Sequence, residues 1–102
     1  MKNLVIIIHA NGQQDMSDLL RGLEVVPGFT FTRVEGHGAQ SEQDMFLSAR
    51  DKVVGFIPRM RVDILLADND VETVLTAVRD APNGGHFEGV YWCLDVEQSG
   101  RL

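Results

Sequence analysis

Two amphipathic helical patterns are separated along this chain by two strand-like segments, and this order limits the possible folds more than any other feature. The first pattern repeats apolar residues at helical spacing from Met16 to Leu23, with Asp15 or Ser17 expected at its start. The second repeats the same stripe from Val71 to Val78. Asn69, with a glutamate three residues later, resembles a capping box before it.

Four segments have the composition of β-strands. Leu4 to Ile8 is an unbroken aliphatic run, which is typical of a strand buried on both faces. Phe29 to Val34, Arg59 to Ala67 and Val90 to Val96 instead alternate, which is typical of strands with two unlike faces. The predicted order is therefore β-α-β-β-α-β.

Two helices can cover only one face of a four-stranded antiparallel sheet, so we predict a ferredoxin-like α+β sandwich in one domain spanning residues 1–102. The helices are expected to cover the apolar side of the two middle strands. The opposite face is predicted to be solvated surface or an oligomer interface in which Arg61 and Asp63 pair between chains. Its predicted residues are Thr30, Thr32, Arg33, Arg59, Arg61 and Asp63.

Composition excludes several functions. The net charge of −6 and the pI near 4.8 argue against nucleic acid as a partner, because binding to the phosphate backbone needs a basic surface. The longest apolar run is too short to cross a membrane and no leader pattern is present, so we expect a cytoplasmic protein.

Cys93, the single cysteine, cannot form an internal disulfide. No serine, histidine and acid are grouped as a catalytic site, so an enzyme is not expected.

A polar stretch from Gly36 to Pro58 joins the two middle strands and is far longer than the roughly 2–5 residues that usually connect strands. Around it the sequence resembles the PII signalling proteins. FTFTRVEGHGAQ is similar to the family's second strand and the turn into its T-loop. VVGFIPRMRVDILLADNDVETVLTAV is similar to the loop exit, third strand and second helix, and GGHFEGVYWCLDV to the B-loop and fourth strand. The spacing from Gly36 to Pro58 equals that of the family loop.

This resemblance implies a homotrimer that binds an adenine nucleotide in clefts between subunits. A T-loop at about residues 37–57 would regulate a protein target, often a membrane transporter, and a B-loop at about residues 82–89 would complete each cleft. The positions implied to line the cleft are Thr30, Gly36, Gly38, Gln40, Ile64, Leu65 and Gly89, and His37, His86 and Glu88 lie beside them.

Four positions depart from the family pattern. Ala39 and Val90 stand where the family has an arginine and a lysine that bind phosphate, and Phe87 replaces a B-loop glycine. Lys52 stands in place of the tyrosine that receives a nucleotidyl group. An anionic triphosphate needs cations or backbone amides around it, so the usual phosphate contacts are missing.

A metal is the alternative ligand. His37 and His86 are implied to approach each other across a subunit boundary, and two imidazoles with Glu88 or Asp44 would suit zinc or copper. Some PII-like proteins are found with heavy-metal efflux systems, and the trimeric CutA type shares the ferredoxin-like unit. A trimeric PII-like regulator is therefore the leading prediction, and a metal-binding tolerance protein resembling CutA is the alternative. A third possibility is a protein whose apolar cleft binds adenosine-type ligands, such as AMP or cyclic AMP, with weak phosphate contact.

Overall fold

The structure, a computed structural model, describes residues 1–38, 56–82 and 87–102. Its elements follow the predicted β-α-β-β-α-β order, and a short 3-10 turn leads into each helix, at Ala10–Gly12 and Asp68–Asp70. The strands and helices are β1 (Lys2–His9), α1 (Gln13–Arg21), β2 (Thr30–Gly36), β3 (Ile57–Leu66), α2 (Val71–Arg79) and β4 (Gly89–Asp95).

The four strands form one antiparallel sheet in the order β2-β3-β1-β4. β1 therefore pairs on both of its edges, with Leu4 opposite Ile64 on β3 and Cys93 on β4. Its side chains alternate between the helix side, where Leu4, Ile6 and Ile8 are buried, and the opposite face, where Val5 is also buried. The prediction of a ferredoxin-like α+β fold is confirmed.

The hydrophobic core lies between the sheet and the two helices. Alternate residues of β1 and β3 form the sheet side of the core, and one apolar stripe of each helix packs against them, as strand and helix periodicity predict. None of the helices in the described ranges is long and apolar enough to cross a membrane. The buried core residues are Leu4, Ile6, Ile8, Met16, Leu20, Met60, Val62, Ile64, Leu66, Val74, Leu75 and Val78.

The helix starts differ from the predicted caps. Gly12 is the N-cap of α1 and Asp70 that of α2, and neither helix has a side-chain capping hydrogen bond. Ser17 lies in the middle of α1 and faces inward, and Asn69 lies inside the second 3-10 turn. The 3-10 turns change the chain direction before each helix, and the first is capped by His9, whose Nδ1 accepts a hydrogen bond from the Asn11 amide at 3.1 Å.

The sheet face that points away from the helices is called the open face here. Thr30 and Thr32 lie on it as predicted, opposite Asp63 and Arg61. Arg33 does not, because it pairs with Met60, which points into the core. The prediction for Arg33 is wrong because strand side chains alternate, so Arg33 shares the helix side with Phe31.

Neighbouring residues on α2 provide a test of this packing. Leu75 is 3 % exposed and Thr76 is exposed. We expect Leu75→Ala to lower the free energy of unfolding by about 2–5 kcal/mol, because it leaves a cavity in the core. Thr76→Ala should change it by less than about 1 kcal/mol, since alanine is a good helix former. Urea unfolding followed by circular dichroism measures both, and equal losses would contradict the assignment of these two faces.

Candidate functional site

The predicted site residues at the loop bases share one end of the sheet but occupy its two opposite edges. β1 and β2 finish at this end, and β3 and β4 begin there. Gly36, His37 and Gly38 lie at the β2 edge, whereas Glu88 and Gly89 lie at the β4 edge. Two strands separate these edges, which corresponds to about 14 Å at the usual strand spacing. A single chain therefore does not bring the two groups together.

At the β2 edge the two ends of the long connecting segment are held close together. The β2–β3 pairing continues to Gly36 opposite Ile57. Beyond it the His37 ring lies edge-on to Phe56, with ring centroids 6.5 Å apart and planes at 75°. A Cβ on Gly36 would come within 3.2 Å of Cγ of Arg59, so the arginine stem packs against the glycine backbone. We call this pairing and ring contact the loop neck.

At the β4 edge Gly89 marks a close approach of two backbones. It lies opposite Ile8, and a Cβ at this position would be 1.8 Å from the carbonyl oxygen of Ile7. Any larger residue must therefore move β4 away from β1. Glu88 is exposed just before it, and Phe87 packs against the core. The end of the predicted B-loop is thus fixed to the central strand.

The remaining predicted cleft residues lie at the other end of β2 and β3. Thr30 begins β2 opposite Asp63, six residues and about 20 Å along the strand from Gly36. Leu65 is 43 % exposed on the open face, and Ile64 is fully buried in the core. The Ile64 side chain is therefore not available to a ligand.

Three residues of the predicted ligand sets, Gln40, Asp44 and His86, lie outside the described residues. In residues 1–38, 56–82 and 87–102, no group of three or more histidine, cysteine, aspartate or glutamate side chains is placed to hold a metal. His37 and Glu88 belong to opposite edges of the sheet. The nucleotide and metal assignments both stay predictions.

The open face carries an apolar patch that sequence reasoning missed. β4 places three large apolar residues there, opposite Ile7, Val5 and Asn3 of β1. With Leu65 they form what we call the open-face patch. Its members and their exposed fractions are Val90 at 58 %, Trp92 at 41 %, Leu94 at 50 % and Leu65 at 43 %.

The alternation of Val90, Trp92 and Leu94 is visible in the sequence, but alternation does not tell which side of a strand meets the helices. On β4 the helix side is instead occupied by Tyr91, Cys93 and Asp95, which are exposed. β4 is an edge strand, and the short helices do not cover it. An apolar face of this kind marks a protein contact surface when it is contiguous.

Beside this patch Arg61 and Asp63 form an ion pair within β3. Nη2 of Arg61 donates to Oδ1 of Asp63 at 3.0 Å, and its Nε donates to Oδ2 at 3.1 Å. The hydrogen bond and the charge of Asp63 raise the pKa of Arg61. The Arg61 guanidinium also lies 5.9 Å from the centroid of the Trp92 ring. The two charges therefore already meet within one chain, and the pair between chains stays a prediction.

Comparison with known proteins agrees with this architecture. A family model described as "Protein of unknown function (DUF3240)" matches residues 1–102. The chain belongs to the DUF3240 family. A solved DUF3240 structure from Shewanella baltica OS155 superposes with a TM-score of 0.76 at 22 % identity, covering 99 % of this chain and 94 % of that one, and therefore shares its fold.

The DUF3240 chain is also related to the PII proteins. Nitrogen regulatory protein P-II of Rhizobium meliloti (strain 1021) is 30 % identical over 105 residues, covering 100 % of this chain and 91 % of the relative. Nitrogen regulatory protein P-II 1 of Escherichia coli (strain K12) is 27 % identical over 103 residues, with 100 % and 91 % covered. The predicted PII resemblance is confirmed, and both relatives are named as nitrogen regulatory proteins.

The close approach at Gly89 can be tested against a second glycine. Gly89→Ala should lower the free energy of unfolding by about 1–3 kcal/mol, because its Cβ would overlap the Ile7 carbonyl and force the strands apart. Gly28→Ala is the control, since no atom lies within 4 Å of a Cβ there. Urea unfolding gives both values, and hydrogen exchange at the β1 amides should accelerate in Gly89→Ala alone. An unchanged Gly89→Ala protein would contradict the backbone contact.

Proposed function

We propose that this protein is a non-catalytic PII-type regulator that assembles as a homotrimer and binds an adenine nucleotide between chains. One observation carries the proposal. The two groups of candidate ligand residues, at the loop neck and at Gly89, lie on opposite edges of the same sheet end. If the edges of two copies meet, the β2 edge of one chain faces the β4 edge of the next and both groups form one cleft.

The open-face patch supports assembly. Its four residues remain between 41 % and 58 % exposed in one chain, although each is large and apolar. Burying such side chains contributes about 25 cal/mol per Å² of apolar surface, which favours covering them with another copy. The internal Arg61–Asp63 pair fits this role, since a charge that enters an interface already paired costs less than an isolated one. Three copies are expected from the PII resemblance.

The chemistry of the described edges favours the nucleoside part of the ligand over a triphosphate. Val90, with an apolar side chain, directly follows the Gly89 backbone contact. At the loop neck Arg59 is half-buried against Gly36. Because Ala39 and Val90 stand where the PII family has a phosphate-binding arginine and lysine, we expect AMP or cyclic AMP to bind at least as well as ATP.

The proposed output is the long segment between β2 and β3. Residues 39–55 lie outside the described residues, but His37 and Phe56, close to either side of them, contact each other at the loop neck. A ligand that contacts the neck is therefore well placed to bias the conformation of the segment. Long connections in small domains are usually functional. We propose a membrane transporter as its target and the cytoplasm as its location, as the sequence predicts.

Two residues of β4 with similar exposure test the assembly. Leu94 is 50 % exposed on the open face, and Tyr91 is 48 % exposed on the helix side. We expect three chains per particle for the unmodified protein and for Tyr91→Lys. Leu94→Lys should shift the protein to monomers, because a desolvated unpaired charge is costly. Light scattering after size exclusion measures the mass. A monomeric unmodified protein, or trimers of Leu94→Lys, would contradict the proposed interface.

Calorimetry with ATP, ADP, AMP and cyclic AMP tests the ligand. We expect the trimer to bind AMP or cyclic AMP with an affinity equal to or higher than that for ATP, because phosphate contacts are few. Monomeric Leu94→Lys should bind at least about tenfold more weakly, since each cleft needs two chains. Absence of heat with all four nucleotides would refute nucleotide binding, and unchanged affinity in the monomer would refute a cleft between chains.

A further inference from the structure

A groove of about 630 Å³ lies on the helix side of the sheet, apart from the loop neck and Gly89. One face of α1 forms its first wall, with Gln13, Gln14, Ser17 and Arg21 following one another at helical spacing. Phe29 and Phe31, at the beginning of β2, form the second wall. β2 is an edge strand, so no further strand of this chain lies beyond this wall. Its volume is within the range of small-molecule sites.

The aromatic wall offers a surface for a flat ring. Phe29 and Phe31 are half-buried and stand edge-to-face, with centroids 5.4 Å apart and planes at 71°. Both rings pack against the core on one side, which fixes their positions. A ligand ring that packs on this pair would bury apolar surface and gain aromatic contact without rearranging the wall.

The helical wall is polar and carries no negative charge. No carboxylate is among the residues that line the groove, although the chain has a net charge of −6. Gln14 Nε2 donates to Oδ1 of Asp18 at 3.0 Å, while Asp18 itself stays outside the lining. Ser17 also lines the groove and is only 8 % exposed.

Arg21 supplies the charge at the far end of this wall. It is exposed and, within the described residues, forms no ion pair. The other helix shows a contrast, because Arg79 lies near Glu72, with the charged atoms 3.9 Å apart. A guanidinium without an ion pair that lines the same groove as two aromatic rings matches a ligand that has an anionic group on a ring, since guanidinium binds carboxylate or phosphate in a planar fork.

We propose that this groove is a second ligand site, which binds a small molecule composed of a flat ring with a carboxylate or phosphate attached. The ring packs on Phe29 and Phe31, the anionic group pairs with Arg21, and the Ser17 hydroxyl bonds the ligand between them. The site is contained within one chain. It therefore differs from the nucleotide cleft proposed above, which needs two chains, and it does not depend on that proposal.

Three probes separate the contribution of the ring to binding from that of the charge. They are phenyl phosphate, which has both, benzyl alcohol, which has only the ring, and inorganic phosphate, which has only the charge. Each is titrated into the isotope-labelled full-length protein and followed by residue-resolved NMR. Phenyl phosphate should shift the amides of residues 13–21 and 29–31 and bind about tenfold more tightly than either other probe, as expected for a charge-assisted hydrogen bond added to ring packing. A carboxylate source is distinguished by benzoate, which should bind in the same place.

Two arginine variants complete the test. Arg21→Gln should reduce phenyl phosphate binding to the level of benzyl alcohol, and Arg101→Gln in the exposed terminal segment is the matched control that should leave it unchanged. The proposal is overturned if phenyl phosphate shifts no groove amide at about 10 mM, where even millimolar affinity would be detected. It is also overturned if the shifts fall only at the strand ends near Gly36 and Gly89, or if Arg21→Gln binds like the unmodified protein.

Discussion

The rest of the structure depends on the pairing of β1 with both β3 and β4. Leu4, Ile6 and Ile8 enter the core from this strand, and each fully buried aliphatic side chain contributes about 1.5–3 kcal/mol. Once β1 occupies the centre, β2 and β4 must be the two edges of the sheet. Two nine-residue helices then cover one face and leave the other uncovered. The separated halves of the candidate cleft and the open-face patch both follow from this arrangement.

Sequence patterns were sufficient to predict the architecture, because each pattern reflects the local environment of one strand or helix. The aliphatic run from Leu4 to Ile8 indicated a middle strand, and the helical stripes indicated which residues of α1 and α2 are buried. The patterns failed to predict the caps at the helix starts and the face of β2 on which one residue lies. Asn69 resembles a capping residue, but a 3-10 turn occupies its position. Arg33 was assigned to the wrong face because its polar character, rather than its register with Met60, was used.

The candidate site was less predictable than the fold. The family resemblance assigns Gly36 and Gly89 to the proposed cleft; β2 ends at Gly36 and β4 begins at Gly89, but no local pattern shows that these two strands are opposite edges of the sheet. The resemblance also included Ile64, whose side chain is fully buried, because a matching position does not report burial. The open-face patch was missed for a related reason. The alternation of residues along β4 divides its side chains between two faces, but it does not show which face meets the helices. The edges at which Gly36 and Gly89 lie, the burial of Ile64 and the orientation of β4 all depend on contacts across the sheet.

The placement of the half-sites on opposite edges has a consequence for mixtures of variant chains. β2 and β4 are the two edges of the sheet, so in the ring of three proposed above each subunit would give its β2 edge to one neighbour and its β4 edge to the other. A subunit damaged at the loop neck still carries an intact Gly89 edge, and the reverse holds for a subunit damaged at Gly89. When the two kinds co-assemble, every mixed ring of three contains one junction where two undamaged edges meet. Two individually inactive alleles would thus complement each other through a single restored cleft.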